Sequence, residues 1–161
     1  MAIRERKPLA ASTRATVVYR RILVPLVEGG ASEQAMAIAC HLADEHGASV
    51  TAVTVIEVPV ELPLDAHMTE EEARAKRTLG EASAIGDLYG VSVLGRALRA
   101  RAAGEAIVEE AARAGTEIIV LRAPRKPRST RAVQVFGKTV DYVLKHAPCR
   151  VMVAASPPGS C

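Results

Sequence analysis

A chain of 161 residues, 49% of them apolar, can enclose a single core and is too apolar to be disordered over most of its length. Aromatics make up only 2%, with one Phe and no Trp, so that core is built from Val, Ile, Leu and Ala. The net charge is +3, and no apolar run reaches the roughly 20 residues that a membrane span requires.

Residues 1–19 read as a flexible basic arm, because Pro8 and an Ala/Ser/Thr run leave no periodic apolar face. Residues 1–21 hold six basic residues and one acid and lack the apolar core of a secretory leader, which gives the expectation of a cytoplasmic protein. Residues 21–26 (RILVPL) form a short apolar run of the kind buried on both faces of a sheet. A Gly-containing turn follows at 27–31. Ser32 is a natural N-cap, and Ala35, Ile38, Ala39 and Leu42 then recur at helical spacing until Gly47. Residues 50–58 (VTAVTVIEV) are rich in β-branched residues and predict a second strand.

A Pro-bearing loop covers 59–69. Thr69 ahead of Glu70, Glu71 and Glu72 starts a helix with acids at the positive end of its dipole, and this helix runs to about Tyr89, with Gly90 behind it. A third strand is expected at 91–97, a loop at 99–103, and a helix at 104–114 with Ile107, Val108, Ala111 and Ala112 inward and Gly115 after it. Residues 117–121 (EIIVL) predict a fourth strand. Residues 136–146 predict a fourth helix, in which Asp141 and Lys145 form a stabilising i,i+4 pair. Residues 149–155 (CRVMVAA) predict a fifth strand, and 156–161 a disordered tail.

Strands that alternate with helices imply an α/β fold: a doubly wound, five-stranded parallel sheet with helices on both faces. Ligands in such sheets bind beyond the carboxyl ends of the strands, where strand order reverses. The turns to inspect are therefore 26–30, 56–59, 99–104 and 122–138. The last carries five basic residues and no acid within 122–131. It reads either as a phosphate clamp of guanidinium groups or as a solvated loop. It lacks the aromatic platform that stacks nucleic-acid bases, so no nucleic acid is expected. Gly137-Lys138-Thr139 ends like a Walker loop, but Ala132 stands where that motif begins with glycine. Cys40 and Cys149 are expected as buried thiols. Three cysteines and four histidines without ligand spacing suggest no metal site.

Four segments carry a resemblance: RRILVPLVEGGASEQA at 20–35, VTVIEVP at 53–59, GEAIVEEA at 104–111 and FGKTVDYVLKHAPCRVMV at 136–153. Over residues 20–155 the chain resembles a universal stress protein domain. The resemblance implies a flavodoxin-like or adenine nucleotide alpha hydrolase-like fold with no enzymatic role. It also implies a homodimer paired antiparallel through the last strand, 150–155. Nucleotide-binding members carry Asp after the first strand and a G-x2-G-x9-G-[ST] loop after the fourth. Here the Asp position falls on Val27, beside Leu26. The early glycines fall on Arg122 and Arg125, the late glycine is Gly137, and the hydroxyl position falls on Lys138, next to Thr139. Val55 corresponds to a residue of the adenine pocket.

Arg122 cannot take the left-handed backbone of a phosphate loop cheaply, and Pro124 and Pro127 each remove an N–H. The expectation is a regulatory or interaction module without the standard ATP grip and with no firm cofactor. The alternative is a sensor of ATP, another adenine nucleotide or a dinucleotide, gripped by Arg122, Arg125, Lys126 and Lys138. The closing segments also resemble stress-protein domains of amino-acid transporters, which makes a membrane carrier a candidate partner.

Overall fold

A computed structural model describes residues 17–26, 33–123 and 137–155. Its elements alternate as expected: β1 (Arg21–Pro25), α1 (Glu33–His46), β2 (Ser49–Glu57), α2 (Thr69–Leu88), β3 (Val93–Ala100), α3 (Ala103–Arg113), β4 (Ile118–Arg122), α4 (Gly137–His146) and β5 (Arg150–Ala154). The five strands form one sheet in the order β3-β2-β1-β4-β5, and every pairing is parallel. The order reverses between β1 and β4. It is the 3-2-1-4-5 order of a dinucleotide-binding sheet and differs from the 2-1-3-4-5 order of flavodoxin itself.

Alternation along the strands divides the core in two. Ile22, Val24, Val50, Ala52, Ile118 and Val120 face α1 and α2, where Met36, Ala39, Cys40 and Ala82 cover them. Leu23, Val53, Ile119 and Leu121 face the other way, against Ile107 and Ala111 of α3 and Val140 and Val143 of α4. β1 and β4 lie mid-sheet and are buried on both faces, which is why RILVP and IIVL read as unbroken apolar runs. Among the described helices, none is long and apolar enough to cross a membrane.

Several boundaries differ from expectation. β3 extends to Ala100 because it pairs with β2 through Glu57↔Ala100, although GRALRA has little strand propensity. α2 does open at Thr69, as expected. Met68 holds the cap position, and its N–H donates to Glu72 Oε1 at 3.3 Å. Cys149 precedes β5 and is half-buried rather than enclosed, whereas Cys40 is fully enclosed. Burial pushes both thiols up from their ordinary pKa, away from reactive thiolate character. Ser32 and Phe136 lie outside the described residues.

Polar contacts fasten the entrance to β1. The Tyr19 N–H donates to His46 Nδ1 at 2.9 Å, and the two rings stack with centroids 5.7 Å apart. The Arg150 guanidinium lies 5.9 Å over the Tyr19 ring. The Glu117 carboxylate accepts from the N–H groups of Arg20 and Arg21. The Arg20 N–H, with smaller help from Arg21, holds the Glu117 pKa below its usual range. On the opposite helix layer, Glu110 is only 5% exposed, and its carboxylate bridges Arg113 of α3 and Arg96 of β3. Such a buried acid is retained because it is paired; losing its partners is the costly change.

Two glycines test the packing with opposite signs. A Cβ on Gly104 would lie 2.9 Å from Tyr142 Cβ, where α3 crosses α4, whereas one on Gly80 would meet nothing within 4 Å. Alanine gains up to about 1 kcal/mol over glycine inside a helix, and overpacking costs about 1–3 kcal/mol. Gly80→Ala should therefore raise, and Gly104→Ala lower, the free energy of urea unfolding. A gain at Gly104 would contradict the packing.

The depressed Glu117 pKa sets a second test. Its contribution is present above the unfolded Glu pKa of about 4.3 and is lost as pH falls through the lower folded value. Glu117→Gln should lower Tm at neutral pH, and the gap to wild type should close in acid. A gap that stays constant from about pH 7 to pH 3 would contradict this linkage.

Candidate functional site

The register of the central strands makes an opening. β1 ends at Pro25, which pairs with Val53, but β2 continues to Glu57 with β3 still beside it. The Leu26 N–H donates to Val53 O at 2.7 Å and is, among the described residues, the last backbone bond from the β1 side to β2. In a parallel pair alternate residues turn their backbone groups to the same neighbour, so Val55, like Val53, presents its N–H and C=O to the place β1 has vacated. A cavity of about 550 Å³ occupies this place.

Its walls come from both layers. Pro25, Leu26, Val53, Val55, Ile56, Ala75 and Ile107 supply apolar surface. Glu71, Arg74 and Thr78 enter from α2, Ala103 from α3, and Lys138 and Thr139 from the first turn of α4. Glu57 Oε1 accepts the Ala103 N–H at 2.8 Å, so a carboxylate already satisfies the start of α3. The start of α4 is different. Gly137 enters it at φ +73°, a backbone that glycine adopts without strain, and Lys138 adds positive charge to the helix N-terminus. Arg74 and Lys138 have no ion-pair partner among the described residues. The lining thus carries carboxylates at Glu57 and Glu71 and cations at Arg74 and Lys138, and the start of α4 is the end that favours an anion.

The α2 wall is held from outside. The Arg99 guanidinium donates to Ala66 O at 2.8 Å and to Leu64 O at 3.3 Å, and pairs with Glu72. The Arg101 guanidinium donates to Val58 O at 3.1 Å and to Pro59 O. Two arginines at the end of β3 therefore fix the loop between β2 and α2, and with it the helix that carries Arg74.

Of the residues expected from sequence, Leu26, Val55, Lys138 and Thr139 line this cavity, and Gly137 starts the helix that delivers two of them. Arg122 is half-buried at the end of β4 and is not among the described lining residues. Val27, Arg125 and Lys126 lie outside the described residues. Sequence reasoning missed Thr54, Glu57, Glu71, Arg74 and Thr78. A signal for two of them existed. Ala75, Thr78 and Ala82 mark the inner stripe of α2, and Thr54 alternates with Ala52 and Ile56 on the strand face below. Among the described residues, no cluster of three or more His, Cys, Asp or Glu side chains could hold a metal ion.

A parallel sheet in this order, with a cleft at its carboxyl edge between α2 and the starts of α3 and α4, defines an α/β domain of the doubly wound type, with an opening where such sheets hold ligands. The sequence pattern of the universal stress protein family matches residues 18–155, and the chain belongs to that family. Its fold is that of a universal stress protein from Archaeoglobus fulgidus, with TM-score 0.70, 22% identity, and coverage of 84% of this chain and 98% of the other. It is also similar to the universal stress protein from A. fulgidus in complex with dAMP (TM-score 0.66, 21% identity, 85% and 98% covered). A universal stress protein in complex with cAMP gives TM-score 0.66 at 18% identity, with 88% and 100% covered. No curated protein matches the sequence.

Proposed function

We propose that this chain is a regulatory module that binds an adenine mononucleotide and does not make the standard ATP grip. The observation that carries this reading is the cleft where β2 outruns β1. A flat base fits its apolar walls, Val55 offers a backbone donor and acceptor, and Arg74 with Lys138 can neutralise one phosphate. The volume of about 550 Å³ suits a ligand of that size. Relatives in complex with dAMP and with cAMP support the ligand class.

The loop sequence argues against a triphosphate. A triphosphate needs a series of backbone N–H groups along its length, and residues 122–138 replace two glycine positions with Arg122 and Arg125 and add Pro124 and Pro127. A single phosphate needs only the start of α4 and the two cations. Binding changes the charge and rigidity of the carboxyl edge of the sheet, which is the means by which such a module would signal to a partner.

Calorimetry with AMP tests the anchoring role. Arg74→Ala and Lys138→Ala should each weaken AMP binding about tenfold, since a hydrogen bond to a charged group contributes about 1.5–3 kcal/mol. Thermal stability without ligand should stay unchanged. Full affinity in both variants, or no AMP binding by wild type, would contradict the proposal.

A further inference from the structure

Thr54 and Thr78 have no structural need for their hydroxyls. Thr54 sits in β2 on the face that packs under α2, one alternation from Ile56, which meets Ala75. Thr78 lies one turn beyond Ala75 on the buried stripe of α2. Each is only 8% exposed, and both line the cavity. Neither hydroxyl has a hydrogen-bond partner among the described residues. No sealed side-chain oxygen in the described structure lacks a partner, so these two oxygens are not sealed off, and the cavity is the space their residues line.

Valine has the same shape as threonine, suits a strand equally well and carries no group to desolvate. A pair of threonines on facing elements is therefore unexplained by packing. Leu26, Ala75 and Ile56 share the lining with them, as do Arg74 and the carboxylates of Glu57 and Glu71. A hydroxyl can accept from one group while donating to another. Two of them in one lining can together match an edge that alternates donor and acceptor, as an amino group beside a ring nitrogen does.

We propose that Thr54 and Thr78 form the base-reading wall of the cleft and hydrogen-bond the amino-bearing edge of a purine. The cations at Arg74 and Lys138 hold the phosphate end, and the threonines determine which base is accepted. This inference rests on the mononucleotide reading above and adds the specificity element to it.

Calorimetry on the full chain separates the two. The probes are AMP and purine riboside 5′-monophosphate, which differs from AMP by lacking the amino group. Wild type should bind AMP about tenfold more tightly than the analogue, the order of effect of one buried polar group left unpaired. In Thr54→Val/Thr78→Val the two ligands should bind alike, with AMP weakened to the level of the analogue. Thr54→Ser/Thr78→Ser should restore the preference, which a loss of folding or packing would not. A preference that persists in the valine variant, or no preference in wild type, overturns the inference and leaves the mononucleotide reading standing. Failure of wild type to bind either probe overturns both.

Discussion

The site depends on one mismatch of strand length. β1 stops at Pro25, while β2 keeps its pairing to β3 through Glu57. Backbone polar groups buried without partners are expensive, so a strand that outruns its neighbour must turn its open edge to solvent or to a ligand. The proline at the end of β1 has no N–H to donate and helps to end the ladder there. The cavity is the consequence. It lies beside the reversal of strand order, between α2 and the starts of α3 and α4.

Electrostatics then gives the cavity a direction. Glu57 occupies the start of α3, and Glu110 is held by Arg96 and Arg113 farther along the same helix. Arg99 and Arg101 are spent on backbone carbonyls and on Glu72. Among the described lining residues, the cations Arg74 and Lys138 remain, one from each layer. The arrangement favours an anion that is short and carries its charge at one end. The walls between are aliphatic because the chain has almost no aromatic residues. A base would be held there by contact with Leu26, Val55 and Ile107 and by polar groups at its edge, rather than by ring stacking.

Much of this fold was legible in the sequence. The central strands announce themselves, since RILVP and IIVL are buried on both faces, and SVTAVTVIE is β-branched throughout its middle. β3 was harder. Gly95, Arg96, Ala97 and Arg99 carry no strand preference, and the strand exists because β2 supplies its ladder. Of the site, the start of α4 was visible because Gly137-Lys138-Thr139 keeps its place relative to the closing strand. The α2 wall was not visible. Arg74 stands among Glu70, Glu71, Glu72, Lys76 and Arg77, where nothing local separates the cation that faces the cleft from those that face water. That distinction is made by the loop that Arg99 and Arg101 pin, a contact between residues more than thirty positions apart.

The central claim is that the cleft selects one phosphate over three. The most direct measurement is the ratio of dissociation constants for AMP and for ATP with Mg²⁺, taken by calorimetry on the same preparation at physiological salt. The account predicts AMP at one site per chain and ATP at least about tenfold weaker, a difference of about 1.4 kcal/mol. ATP binding at one site per chain as tightly as AMP, or more tightly, would contradict it.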